Sequence, residues 1–223
     1  MVKAEFFHPA PTAAAAPAGG EDPHALGREI AACRLCAEQP LGRPLPHAPR
    51  PVATLSATAR LLVAGQAPGT RVHASGLSFT DASGDRLRDW LGIEREVFYD
   101  SRRVAIAAMG FCFPGQDAHG GDLPPRRECA PHWRFRLMAA MPQLELVLAI
   151  GLHAQRWHLG PDAGPTLGAT VANWRAILDR PARPAVLPLP HPSWRNTAWL
   201  RRNPWFEAEV VPELRGRVAA LVG

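Results

Sequence analysis

Four cysteines and four loops are the parts of this 223-residue chain whose residue types and spacing can do chemistry. Cys33-Arg-Leu-Cys36 sets two thiols in CxxC spacing, and Cys112 and Cys129 follow with sixteen residues between them. Four cysteines are too few to staple a chain of this length. In an intracellular chain such a pattern reads as a metal or iron–sulfur site before it reads as disulfides. Thiolates suit a [4Fe–4S] cluster or a zinc ion, and the spacing alone does not separate the two. The plainer alternative is four unrelated buried thiols, because free Cys is among the most buried residue types. The CxxC pair, together with the use of all four cysteines, favours one shared site.

The loops are Gly65-Gln66-Ala67-Pro68-Gly69, Gly110-Phe111-Cys112-Phe113-Pro114-Gly115, Gly151-Leu152-His153 and His191-Pro192-Ser193-Trp194-Arg195-Asn196. Each is a Gly- or Pro-bearing turn of the kind that brings backbone close to a ligand. None is a phosphate-binding P-loop or a dinucleotide fingerprint. Between the first two lies Ser78-Phe79-Thr80-Asp81, a polar setting that is poor company for a core Phe. An aromatic beside a Gly-rich loop can stack on a flat ring held in that loop. A histidine such as His191 can donate to an oxygen on which negative charge develops, even when neutral. Asp81 and Asp85 are the candidates for a general base by proximity to Phe79, with Asp85 the better fit to a first-turn helix charge.

These loops need a frame to hold them. Apolar runs at 60–65, 103–111, 144–151 and 185–193 read as buried parallel strands. Helices are expected over 23–36, 83–93 with Ser83 as N-cap, 129–141, 152–159 and 205–222. Strands alternating with helices imply a single three-layer α/β/α domain with a central parallel four-stranded sheet, over residues 23–223. Residues 1–22 are Ala- and Pro-rich and read as a disordered tail. Residues 39–58 read as a Pro-rich connection. In an open parallel sheet, ligands bind outside the carboxyl ends of the strands, where all four loops fall.

The ordered blocks GQAPG (65–69), GLSFTDASGDRLRDWLG (76–92) and LPLPHPSWRN (187–196), together with the four cysteines, resemble the uracil-DNA glycosylase superfamily. Within it, they resemble the iron–sulfur branch known as family 4 and its broad-specificity GQAPG relatives. The resemblance spans roughly residues 26–215. It implies a monofunctional DNA glycosylase that flips out and excises uracil, and other deaminated bases, in base excision repair. It implies that Gly65, Gln66 and Ala67 hold the base, that Phe79 stacks on it and that His191 donates to the uracil O2. His191, Gln66 and Asp81 are then the catalytic candidates. Ser193 would bind a phosphate, and Trp194 or Arg195 would wedge into the duplex. It favours iron–sulfur over zinc at Cys33, Cys36, Cys112 and Cys129. Ala67 stands where the best-known branch carries Asp, and Ala108 stands where a uracil-reading Asn is usual, so relaxed base selectivity is expected. No KRRIH-like run is present, which argues against the covalent uracil-binding relatives.

Composition agrees with a DNA partner. The formal net charge is +5, and the cations are 24 arginines and one lysine, Lys3. Arg126-Arg127, Arg195 and Arg201-Arg202 are the candidate phosphate contacts, with Trp194, Trp199 and Trp205 interleaved among them for stacking. No run of 18 apolar residues occurs, so no membrane-spanning helix and no membrane partner is expected. No basic segment leads into an apolar block, so no secretory signal is expected. A monomer on nucleoid DNA in a bacterial cytoplasm follows. Two alternatives stay open on the sequence: a non-catalytic or product-inhibited uracil- or abasic-DNA-binding protein on the same fold, and a Cys-metal redox or scaffold module that never touches DNA.

Overall fold

The computed structural model describes residues 21–223. Five short strands form the sheet: β1 (Ala53–Thr54), β2 (Leu61–Ala64), β3 (Val104–Ala107), β4 (Leu146–Ile150) and β5 (Ala185–Leu189). Their order is β1-β3-β2-β4-β5. β2 pairs in parallel with β3 and β4, and β4 with β5, while β1 lies antiparallel on β3. The expected four parallel strands are all present. The fifth strand, β1, falls in the expected Pro-rich connection over 39–58, because two residues cannot display an alternating pattern. Tertiary pairing makes β1: Ala53 faces Ala107, and Val52 N–H donates to the Phe111 carbonyl at 2.8 Å.

Among the described residues eleven α-helices follow in chain order. They are α1 (Pro23–Ala31), α2 (Leu35–Glu38), α3 (Thr70–Ser75), α4 (Ala82–Leu91), α5 (Arg95–Phe98), α6 (Cys129–Ala140), α7 (Leu152–Leu159), α8 (Leu167–Ala172), α9 (Trp174–Leu178), α10 (Thr197–Arg202) and α11 (Val211–Val222). They cover both faces of the sheet, and the alternation along β2 decides which side is which. Leu61 and Val63 pack with Leu87 and Leu91 of α4 and Leu214 and Val218 of α11. Leu62 and Ala64 pack with Leu26 and Ile30 of α1 and Trp133 and Leu137 of α6. Every residue of β2 to β4 is buried, as strands covered on both faces must be. Trimming one such side chain, Leu87→Ala for example, removes about 2–5 kcal/mol.

Three expectations change. The helix expected over 23–36 is two helices, broken at residues 32–34. The N-cap of α4 is Asp81 rather than Ser83: the Asp81 carboxylate accepts from Gly84 N–H, and Ser83 instead donates its hydroxyl to Asp81 Oδ1 at 2.5 Å. The closing helix begins as a π turn over Phe206–Val210 before α11. Pro212 in the first turn of α11 has no N–H to give back, which loosens the turn before it. The tail assigned to 1–22 lies outside the described residues except for its last two. Asp22 caps α1, accepting from His24 and Ala25 N–H, and Glu21 pairs with Arg136 of α6.

Candidate active site

β2 has β3 on one side and β4 on the other, so the chain reverses direction across the sheet at β2 and leaves a crevice at its carboxyl end. The loop 65–69 starts there. Met109 N–H donates to Gly65 O at 2.9 Å and Gly110 N–H to Gln66 O at 3.0 Å, which prolongs the β2–β3 pairing past both strands. Gln66, Ala67 and Ala108 come out half-buried at the rim.

Phe79 is brought to the same place at a conformational cost. Its φ is 57°, the one positive value outside glycine among the described residues, and such backbone costs about 1–3 kcal/mol. The surroundings hold it there. Arg88 Nη1 donates to the Phe79 carbonyl at 3.1 Å. The Tyr99 hydroxyl is shared between the Ser78 and Phe79 carbonyls at 2.7 and 3.0 Å. Arg88 is itself buried and fixed by Asp85 at 2.5 Å. The Phe79 ring reaches over Gly65: a Cβ there would sit 3.5 Å from Phe79 Cζ and 4.0 Å from Ala108 Cβ. Phe98 meets the ring edge-on at 6.0 Å. Gly65, Phe79 and Ala108 thus converge on one apolar corner.

β5 delivers His191. Ser193 N–H donates to His191 Nδ1 at 3.2 Å, so Nδ1 is the acceptor and the proton of the neutral ring sits on Nε2. Burial lowers the His191 pKa, and the charges of Asp81 and Asp122 oppose that shift. The ring is therefore a neutral Nε2–H donor near pH 7. Asn196 Nδ2 donates to His191 O at 2.7 Å and Arg86 Nη1 to Ser193 O at 3.2 Å. α4 organises the site, since Arg86 pins the His191 loop, Arg88 pins Phe79, and the α4 cap Asp81 is within electrostatic reach of His191.

Sequence reasoning missed Arg86, Arg88, Tyr99 and Asp122. Asp122 Oδ2 lies 3.2 Å from where a Gly69 Cβ would stand, and Gln116 Nε2 donates to its Oδ1 at 3.3 Å. Of these four, only Asp122 carried a signal, the GGD turn at 120–122.

The candidate DNA edge divides. Trp194 is 75% exposed, with Arg195 Cζ 5.5 Å from its ring centre. Ser193 is half-buried beside it, and Arg201 and Arg202 are exposed. Trp199 and Trp205 instead pack edge-to-face on each other at 5.9 Å and on Phe206, half-buried against the core. Arg126 is committed to Glu128 at 2.7 Å and to Arg43 O.

All four cysteines line one small pocket with Leu35, Pro51, Phe111 and Arg126. Cys33 follows α1, Cys36 lies on α2, Cys112 follows β3 and Cys129 opens α6. All are free thiols. Cys36 accepts from the Cys112 thiol, which brings its pKa down to about 7, and burial pushes Cys129 up to about 12. Phe111 N–H points at Cys129 Sγ, 3.4 Å away. Among the described residues no group of three or more His, Cys, Asp or Glu side chains stands ready to hold a single metal ion. The donor set fits an iron–sulfur cluster: four soft sulfurs and a backbone N–H aimed at one of them, with no His, Asp or Glu in the pocket lining.

An aromatic corner, a neutral imidazole donor and an exposed Trp–Arg edge are thus gathered at the carboxyl ends of the parallel sheet. The chain matches the family model of the Uracil DNA glycosylase superfamily over residues 52–215, and it belongs to that superfamily. It is by family a DNA glycosylase, a hydrolase of DNA repair. The match begins at Val52, so Cys33 and Cys36 lie outside it.

Proposed function

We propose that the chain is a monofunctional glycosylase that excises uracil and other deaminated bases from DNA, and that it belongs to the iron–sulfur branch of the superfamily. The observation that carries this reading is Phe79, held at φ 57° with its ring over Gly65 and beside Ala108. Backbone strain maintained by a buried donor, Arg88, and a half-buried one, Tyr99, suits a platform for a flipped base, which gains about 1–3 kcal/mol by stacking.

The reaction then runs on this chain's own groups. Gly65, Gln66 and Ala67 position the base on Phe79. The C1′–N bond breaks and its electron pair leaves with the base. His191 Nε2–H donates to the base O2 and stabilises the anion, a kind of contact worth about 10²-fold or more in rate. Water adds to C1′, and the proton it gives up passes through solvent to the departing base anion, leaving a neutral base and a C1′ hydroxyl. Asp81 is the acid assigned to orient that water, with Oδ1 already fixed by Ser83 and Gly84. Trp194 and Arg195 fill the gap left in the stack, and Ser193 and Arg201 take phosphates.

Cys33, Cys36, Cys112 and Cys129 would hold a [4Fe–4S] cluster. Such a group would tie α1 and α2 to the loop after β3 and so brace the DNA-facing side. The working form is assigned as a monomer acting on nucleoid DNA in a bacterial cytoplasm.

The test uses a uracil-containing oligonucleotide with wild type and His191→Ala. Free uracil and an alkali-labile abasic site are expected from wild type, with at least about 10² slower release by the variant. Tight binding without base release would overturn the enzymatic reading in favour of a binding protein. Equal rates in the two proteins would mean that His191 is not the donor.

A further inference from the structure

Arg134 is the largest fully buried side chain among the described residues, with 1% of its surface exposed. It lies on α6, five residues after Cys129. Both Nη atoms donate to a single acceptor, the Ala107 carbonyl at the end of β3, each at 3.1 Å, and Nη2 meets Met109 Sδ at 2.9 Å. Among the described residues no ion pair includes it. A guanidinium taken out of water without a counter-charge costs several kcal/mol. Two bonds to a neutral carbonyl offset only part of that.

The tip of Arg134, on the Ala107 carbonyl and Met109, stands at the head of the segment that runs on to Phe111, whose N–H points at Cys129 Sγ, and to Cys112. His158 faces Arg134, but burial keeps that imidazole neutral and it supplies no negative charge. The arginine that lines the thiol pocket, Arg126, is already balanced by Glu128. Among the described residues Arg134 is thus a buried cation without a carboxylate partner, on the helix that Cys129 opens and at the end of the strand that leads to Cys112.

We infer that Arg134 is a charge-compensating positioning residue for the iron–sulfur cluster held by Cys33, Cys36, Cys112 and Cys129. This inference rests on the cluster assignment in the proposed function. Four thiolates around a [4Fe–4S] core leave a net negative charge, and a one-electron reduction adds another. A fixed cation behind Cys129 favours both states over the empty site and the reduced state more than the oxidised. The same fork anchors that charge to the end of β3, next to Ala108 on the base-binding rim. Cluster and base pocket therefore share one buried side chain.

The experiment compares wild type, Arg134→Met and Arg134→Lys, purified anaerobically with circular dichroism as the check on folding. Iron per chain and the cluster midpoint potential are measured in each. Wild type is expected to carry four irons, the content of a [4Fe–4S] cluster. Arg134→Met keeps bulk and loses charge. Its reduced-to-oxidised ratio at a fixed potential should fall about tenfold, which is 59 mV for a one-electron couple. Arg134→Lys keeps the charge and should move that ratio less than about threefold, or under 30 mV. Four irons with an unmoved potential in Arg134→Met would overturn the inference and leave Arg134 a backbone clamp. A tenfold shift in Arg134→Lys would overturn it too, because the charge is then not the cause. If Arg134→Met does not fold, Arg134→Gln is read by the same criteria. Absence of iron from wild type would overturn the cluster assignment and this inference with it, and is distinguished by the iron count alone.

Discussion

The Phe79 carbonyl occupies the space that any side chain at residue 84 would need: a Cβ on Gly84 would lie 1.8 Å from that oxygen and 2.9 Å from Phe79 Cβ. The obstacle is backbone, so no rotamer change relieves it. Gly84→Ala must therefore move either α4 or the Phe79 turn. Because α4 also carries Arg86, Arg88 and the Asp81 cap, the cheaper movement is that of the turn. Base release should fall about 10²-fold, as expected when a stacking platform is displaced by an ångström. The fold should survive with a loss of about 1–3 kcal/mol. Single-turnover kinetics beside urea unfolding check both numbers. A wild-type rate in a stably folded Gly84→Ala would show that the placement of Phe79 does not matter.

The pH dependence follows from the His191 tautomer. Burial lowers its folded pKa below the ordinary histidine value of 6.5, against the smaller opposing pull of Asp81 and Asp122. The unfolded chain therefore takes up a proton first as the pH falls. The stabilisation from the neutral ring is complete above 6.5 and is lost as the pH drops through the folded value. The donor for the leaving base is already present in the neutral ring. The rate should not rise between pH 8 and 6.5, and it should decline only under more acidic conditions. A pH–rate profile that climbs steadily toward pH 6, and loses that climb in His191→Gln, would instead assign the activity to a charged imidazolium.

Ala108 sets base choice on this reading. Its methyl group sits beside Phe79 where a polar side chain would read the base edge, and a methyl group makes no hydrogen bond. Sites that hydrogen-bond a substrate reject analogues lacking the partner by large factors, whereas apolar walls discriminate by only about 10–200-fold. Wild type should release hypoxanthine or xanthine as well as uracil. Ala108→Asn should raise the uracil preference about tenfold or more. A panel of oligonucleotides with single damaged bases measures both. Strict uracil selectivity in wild type would contradict the role given to Ala108.

The four parallel strands were legible because each is a continuous apolar run, and burial on both faces produces such runs. The strand-end loops follow from that topology, whereas the placing of Phe79 and Ala108 beside Gly65 rested on the resemblance of the ordered blocks. The contacts that hold Phe79 were not legible. Tyr99 and Arg88 act on it from 20 and 9 residues away through its backbone oxygen, which has no side-chain signature. Trp199 and Trp205 alternate with arginines as DNA contacts would, but the sequence does not show that both rings turn onto Phe206. Arg134 was invisible for the converse reason, since arginine is so seldom fully buried that composition assigns it to the surface. β1 exists only through its partner β3.

The last expectation concerns what the reaction leaves behind. A glycosylase that also cuts the strand attacks C1′ with an amine and passes through a Schiff base. The usual amine is a lysine whose pKa has been lowered by burial. This chain has one lysine, Lys3, and it lies outside the described residues. Arginine is no substitute, because its guanidinium stays protonated and is not nucleophilic. The residues gathered at the pocket are Gln66, Phe79, Asp81, Ala108 and His191, and none carries a primary amine. Borohydride should therefore trap no protein–DNA adduct, and the abasic strand should stay whole until alkali or a separate nuclease cuts it. Gel analysis of the oligonucleotide with and without borohydride and alkali makes the distinction. A trapped adduct lost in Lys3→Ala would bring the N-terminal segment into the active site. An adduct that survives Lys3→Ala would require a nucleophile other than a lysine side chain and would overturn the monofunctional reading.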